Sequence, residues 1–280
     1  MKEKICIITG ANSGIGKETA IKLAQLGIKV VMICRSAEKG LAAQQEIIAK
    51  SNNKNVELHI ADLSSQIEIR QLAHELKIKY PEIHILINNA GAINDTFSLT
   101  VDQIETTFAT NHLAYFLLTD LLIDNLKSAG HARVINLASE VQRMGKINFD
   151  DINYIKNYSS MTVYSQSKLA NIMFTYEMAR RIAGANITVN CMHPGVVRTG
   201  FGTNMQGFWK YAFALFRPFM RTTEKAARTS VWLATSDEVA GITGKYFFDR
   251  KEIHSNLLSY SVDAQKKLWE ISENMTMQKG

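Results

Sequence analysis

The stretch YSQSK, residues 164 to 168, sets a phenol four positions before an ammonium. On an α-helix, positions i and i+4 are surface neighbours, so Tyr164 and Lys168 share one small volume. A cation beside a phenol favours the phenolate, the form that takes up a proton. Two unrelated polar residues on a solvated face would spell the same letters, so the pair gains meaning only from the rest of the chain. A second chemical signal lies near the start, where TGANSGIG, residues 9 to 16, spaces Gly10, Gly14 and Gly16 as GxxxGxG. Missing Cβ atoms permit a tight turn and a close approach of backbone to a pyrophosphate. The helix that follows would offer its N-terminal amides and positive dipole end to that anion. Asn12, Ser13 and Ile15, between the glycines, join them as candidate cofactor contacts.

Such residues need a scaffold to position them, and the apolar periodicity supplies one. Short β-branched runs recur at ICIIT (5–9), KVVMIC (29–34), VELHI (56–60), IHILIN (83–88), RVINLA (133–138), ITVNCM (187–192) and KYFF (245–248). Between them lie segments of helical periodicity such as IGKETAIKLAQLG and YFLLTDLLIDNLKSA. Apolar strands alternating with helices indicate a parallel sheet covered on both faces. The expectation is an α/β fold, a single doubly wound Rossmann domain over residues 1–280 with a mostly parallel seven-stranded sheet. In such sheets the ligand lies beyond the carboxyl ends of the strands, where strand order reverses.

Composition agrees and narrows the class. The chain has 280 residues, 46% of them apolar and 21% charged, with only Pro81, Pro194 and Pro218 to interrupt it. The net charge of +6 is scattered, without the basic run that would mark a nucleic-acid partner, and it suits an anionic cofactor. Cys6, Cys34 and Cys191 are far apart in apolar stretches and read as small core residues. The seven histidines show no metal-ligand spacing, so no metal is expected. MKEKICIITG runs straight into a strand, and no run of 18 apolar residues occurs, which points to a cytoplasmic protein.

The GxxxGxG turn, together with NNAG (88–91), Asn111, Ser139, YSQSK and PGVVRT (194–199), resembles the short-chain dehydrogenase/reductase family along almost the whole chain. CRSAEKG (34–40), TNHLAYFLLTDLL (110–122) and HPGVVRT (193–199) are most similar to its retinol dehydrogenase branch. Membrane-bound members of that branch begin with an apolar anchor, whereas this sequence begins on a strand. The more distant protochlorophyllide reductases carry a cysteine after the Pro-Gly pair, where this chain has Val196.

The resemblance implies an NADP(H)-linked oxidoreductase that interconverts an alcohol with an aldehyde or ketone. In that reading Tyr164 exchanges a proton with the substrate oxygen. A free phenol has a pKa of about 10, and bringing it to about 7 takes roughly 4 kcal/mol, to which Lys168 and an oxidised nicotinamide would contribute. Ser139 would stabilise charge on the substrate oxygen, although a serine there also suits a turn cap. Asn111 would hold a water linking Lys168 to solvent; a buried amide satisfied by backbone is the alternative. Asn89, Ala90 and Gly91 of NNAG would border the cofactor. Pro194, Gly195, Val197 and Thr199 would face the nicotinamide, although Pro-Gly alone makes a turn. Asp62, followed by Leu63, would meet the adenine or else cap the next helix.

Cofactor choice rests on Arg35, at the end of the second strand and 19 residues beyond Gly16. NAD enzymes of this fold present an acid there, and NADP enzymes an arginine to the 2′-phosphate. A solvated strand-end arginine is the alternative, while Lys17 adds a second cation nearby. A dinucleotide-sensing or scaffold protein on the same fold is the rival class of function, because fold alone does not license activity. Such a protein should have lost part of the set Asn111, Ser139, Tyr164 and Lys168, which is complete here.

The stretch FGTNMQGFWKYAFALFRPFMR, 201 to 221, follows the nicotinamide loop. Trp209, Phe213, Phe216 and Met220 form one apolar row and Phe208, Ala212, Leu215 and Phe219 another, edged by Lys210, Arg217 and Arg221. A substrate lid is expected at about 200–222, walling a pocket for a retinoid-like or lipid-like carbonyl or alcohol. The segment's other face would serve transient contact with a membrane surface; a helix fully buried in the domain or in a subunit contact of a homo-oligomer is the alternative.

Overall fold

The computed structural model describes residues 4–197 and 221–277. Eight strands form one sheet in the order β3-β2-β1-β4-β5-β6-β7-β8. They are β1 (Ile5–Thr9), β2 (Lys29–Cys34), β3 (Val56–Ile60), β4 (Ile85–Asn88), β5 (Ala132–Leu137), β6 (Ile187–Met192), β7 (Tyr246–Phe248) and β8 (Lys251–Glu252). All neighbours pair in parallel except β7 and β8. The eighth strand corrects the expected seven. It is a two-residue antiparallel return after a turn in which Asp249 and Arg250 both have positive φ, +50° and +64°. Its charged, exposed residues carry no apolar run, so hydrophobic periodicity could not register it.

The continuous apolar strands are explained by burial on both faces. Ile7, Val31, Ile33 and Leu86 join one core, under helices α3 (Gln66–Lys79), α5 (Ala114–Leu121) and α7 (Ser160–Arg181). Cys6, Ile8, Met32 and Ile87, pointing the other way, join a second core under α1 (Gly14–Gln25), α2 (Ala37–Ser51) and α8 (Thr223–Thr235). The short helices α4 (Thr106–Phe108) and α6 (Ile123–Ser128) flank α5, and α9 (Val262–Thr276) packs on α7. Between α4 and α5 the backbone widens into a π turn, Ala109–Leu113, which carries Asn111 and His112 into the interior. Among the described residues no helix is long and apolar enough to cross a membrane.

Strand order reverses between β1 and β4, so the connections leaving these two strands run to opposite sides and open a crevice beyond their carboxyl ends. The free cysteines Cys6, Cys34 and Cys191 are buried strand residues, as their apolar contexts require.

Candidate active site

The crevice is closed from below by a lock between the loops after β1 and β4. Thr9 Oγ1 accepts the amides of Asn89 and Ala90 at 2.8 and 2.9 Å, and Asn89 Nδ2 donates to Thr9 O at 2.7 Å. Gly10 turns the chain at φ +67°, and a Cβ at Gly16 would lie 2.4 Å from Gly10 O and 2.5 Å from Asn89 Nδ2. The start of α1 can therefore approach this loop only without a side chain at position 16. Ser13 N-caps α1 but gives its helix no side-chain hydrogen bond, whereas Ser36 and Ser65 cap α2 and α3 through the amides of Lys39 and Glu68. The first-turn amides of α1 are thus not claimed by their own cap, which is the state an anion-binding helix end needs.

A cavity of about 670 Å³ runs along the carboxyl ends of the strands. Following the strand order, it is lined by Asp62 and Leu63 beyond β3, Arg35 beyond β2, and Gly10, Asn12, Ser13, Gly14, Ile15 and Gly16 beyond β1. Asn89, Ala90 and Gly91 follow β4, Ser139 follows β5, and Pro194, Gly195 and Val197 follow β6, with Tyr164 and Lys168 entering from α7. Thr199, the row from Trp209 to Met220 and most of the expected lid lie outside the described residues. Lys17 does not line the cavity; its ammonium pairs with Glu46 of α2 at 2.6 Å. Asp62 does not cap α3, since Ser65 does; its carboxylate instead accepts the Ser64 amide and hydroxyl at 2.9 and 2.8 Å.

At the other end, the Ser139 side chain lies beside the Tyr164 phenol. Ser139 stands at the head of a short 3-10 turn, Glu140–Met144, but its side chain does not cap that turn. Lys168 is buried, donates to Leu137 O at 3.2 Å, and holds its Nζ 5.7 Å from the centres of both the Tyr164 and Tyr115 rings. A Cβ at Gly91 would meet Asn111 Oδ1 at 3.2 Å and Lys168 Nζ at 3.4 Å, so glycine lets the loop pass between these two groups. Asn111 lies behind the cavity wall. Its Oδ1 accepts the Ala92 amide at 2.7 Å, and its Nδ2 donates to Ala92 O at 2.9 Å and Ser167 Oγ at 3.0 Å. This is the arrangement of a buried amide satisfied largely by backbone.

Burial governs the electrostatics here. It pulls the Lys168 ammonium down to about 7 and pushes the Tyr164 phenol up to about 12, against the lowering effect of the neighbouring Ser139. In the protein alone the phenol therefore stands above its ordinary value, opposite to the direction expected from its neighbour. Desolvation outweighs a lysine that is itself partly discharged near neutrality.

Several contributors escaped the sequence reading. Thr9 looks like an ordinary strand end, yet its hydroxyl holds the β4 loop. Tyr115 donates to Ala90 O at 2.7 Å from the first turn of the apolar helix α5, where only the burial cost of its hydroxyl could have flagged it. Ile93, Val141, Met161 and Val196 add apolar surface to the cavity. Glu140 also lines it, beside Ser139.

The family profile described as short chain dehydrogenase matches residues 4–207. Retinol dehydrogenase 12 of Mus musculus is 40% identical over 272 residues, covering 96% of this chain and 85% of its own length. Retinol dehydrogenase 14 of Homo sapiens is 40% identical over 98% of this chain and 87% of its own. Among solved structures, an uncharacterized protein from Mycobacterium Paratuberculosis superposes with a TM-score of 0.80 at 31% identity, over 98% of this chain and 93% of that one. A short chain dehydrogenase from Shigella flexneri 2a, complexed with NADP, shares the fold with a TM-score of 0.70 at 23% identity, over 90% of this chain and 98% of that one.

Proposed function

Because the chain belongs to the short chain dehydrogenase family, we propose that it interconverts an alcohol with an aldehyde or ketone using NADP(H), on apolar substrates. The observation that carries this reading is the grouping of Ser139, Tyr164 and buried Lys168 in the same cavity as an uncapped helix end and Arg35. The residues fit the dinucleotide: the close-packed glycine turn and the first-turn amides of α1 would take the pyrophosphate, and the Arg35 guanidinium the 2′-phosphate. Bound there, the nicotinamide supplies or accepts the hydride.

The chain's own groups then handle the oxygen. Tyr164 gives its phenolic proton to the oxygen of a carbonyl being reduced and takes one from an alcohol being oxidised. Ser139 donates a hydrogen bond to that oxygen as charge develops on it. Lys168, within reach of the phenol and confined by Leu137 O, favours the phenolate whenever it carries its proton. Asn111 keeps the Gly91–Ala92 backbone against Lys168.

Apolar substrates are supported by Met161 and Val196, which are 39% and 61% exposed and line the cavity with Val141 and Ile93. The name retinol dehydrogenase, carried by several relatives, points the same way. NADPH oxidation with a graded panel of aldehydes tests the proposal. The expected result is a kcat/KM that climbs with the apolar size of the carbonyl compound. Equal reduction of small polar aldehydes would overturn the apolar assignment, and NADPH binding without turnover on any carbonyl would favour a dinucleotide sensor. Transient membrane contact belongs to the same proposal and is read by co-sedimentation with anionic vesicles at low and high salt.

A further inference from the structure

His193 lies directly before the Pro194–Val197 loop, is 5% exposed, and has both ring nitrogens engaged. Its Nδ1 accepts the Gly195 amide at 3.2 Å, and its Nε2 lies 3.2 Å from Glu140 Oε2. Because Nδ1 accepts from a backbone amide, the neutral ring carries its hydrogen on Nε2, the nitrogen that faces the Glu140 carboxylate at 3.2 Å. The ring stacks on Phe248 at 4.3 Å with 10° between planes, and the Arg221 guanidinium lies 4.8 Å from the centre of that phenyl ring. Glu140 Oε1 is in turn held by Arg143 Nε.

These contacts join two loops that no strand pairing joins, the one after β5 and the one after β6. Glu140 directly follows Ser139, and Gly195 sits at φ +79° with Arg221 Cδ only 2.9 Å from where its Cβ would be. The loop after β6 is therefore packed against Arg221 and Phe248 on one side and hydrogen-bonded through the imidazole on the other.

We propose that Glu140 is a positioning residue: through the His193 imidazole it fixes the Gly195 amide, and with it the Pro194–Val197 wall of the cavity against which a nicotinamide would be oriented. The inference rests on the dinucleotide reading above. It assigns Glu140 no contact with the reacting atoms, and it requires a hydrogen-bond acceptor at position 140 more than a negative charge.

The test compares the full-length protein with Glu140→Ala and Glu140→Gln. Two readouts are used: hydrogen exchange of the Gly195 amide, and kcat, NADPH dissociation constant and the isotope effect with 4-deuterated NADPH. In Glu140→Ala, Gly195 exchange should rise about tenfold, as expected when one modest hydrogen bond of a bridged pair is lost. NADPH affinity should stay within about twofold because the phosphate end is untouched, while kcat falls roughly tenfold and the isotope effect grows as a misplaced ring slows hydride transfer. Glu140→Gln, which keeps an acceptor for Nε2–H, should restore both readouts. Unchanged Gly195 exchange in Glu140→Ala, or a glutamine variant as impaired as the alanine one, would overturn the latch. A wild-type protein that turns over no carbonyl or alcohol would instead remove the reaction the latch serves, and the exchange readout separates the two failures.

Discussion

At the β1–α1 turn the cavity is bordered mainly by backbone, with Gly10 at φ +67° and Gly14 at φ +57°, whereas at α7 it is bordered by side chains withdrawn from water. The first region works through atoms that are missing. A Cβ at Gly10 would come within 2.9 Å of Ala90 Cα, so the missing side chain is what lets this turn pack against the loop after β4. The second region works through atoms held under electrostatic strain, with a lysine drawn down to about 7 and a phenol raised to about 12. Binding and reactivity should therefore be separable by mutation. Damage to the turn should act on affinity, and damage to α7 on turnover.

The largest effect tests the α7 side. Tyr164→Phe deletes the proposed proton carrier and keeps the ring, so kcat should fall by about 10²–10⁴. NADPH affinity should change less than about twofold, since no phosphate contact is touched. Stopped-flow turnover and fluorescence titration of NADPH measure the two quantities. Substantial turnover in the phenylalanine variant would dissolve the contrast between the regions.

The turn should respond in the opposite way. Gly16→Ala pushes a methyl group against Gly10 O and Asn89 Nδ2, a clash of about 1–3 kcal/mol, or roughly ten- to a hundredfold if expressed in cofactor binding. Its kcat at saturating NADPH should stay within a few-fold of wild type. At the same end, Arg35→Ala should lower kcat/KM for NADPH by about ten- to a hundredfold, the worth of one charge-assisted hydrogen bond, and leave NADH use unchanged. Equal loss with both cofactors would make Arg35 a solvated strand-end residue.

How far each region could be read from sequence follows from the same difference. The turn is eight consecutive residues, so its glycine spacing and its place after a strand were legible at once. The parallel sheet was equally plain, because strands buried on both faces leave long apolar runs such as KVVMIC. The proposed reaction end draws on positions 111, 139, 164 and 168, which only the fold brings together, and family resemblance supplied what local spacing could not. The direction of the phenol's shift was not legible at all. It depends on how much water the folded cavity admits, and an i, i+4 spacing carries no information about that.

Buried Lys168 gives a smaller and independent measure of that strain. Its folded value of about 7 lies below the unfolded value of about 10.4, so between these limits the unfolded chain binds more protons and stability rises with pH. Between pH 7 and 9 the increase should be on the order of 2 kcal/mol, read from urea midpoints of the protein without cofactor. Lys168→Met should flatten it. A wild-type stability that is level or falling over this window would mean that the ammonium is better solvated or paired than its burial implies.

The smallest effect divides the phosphate end within itself. Arg35 and Lys17 are the two cations the sequence offers to the phosphate end, yet Arg35 lines the cavity and Lys17 is spent on Glu46, whose carboxyl it holds below the usual range by hydrogen bonding. Lys50, one turn further along α2, pairs with the other oxygen of the same carboxylate at 2.9 Å, so Lys17 is the cation through which Glu46 ties α2 to α1. An exposed pair of this kind contributes at most about 1 kcal/mol. Lys17→Ala should therefore shift the NADPH over NADH preference by less than about twofold, against the large loss in Arg35→Ala. Glu46→Gln should act in the reverse sense: it weakens the hold on Lys17 and leaves an additional cation free to approach the groove. KM for NADPH should then drop slightly at low salt and return to the wild-type value at high salt, since an unburied charge is screened. Kinetics of both variants at two ionic strengths decide the matter. A Lys17→Ala loss comparable to that of Arg35→Ala would show that the lysine leaves Glu46 when cofactor binds, and that side chains share the work at this end with the backbone.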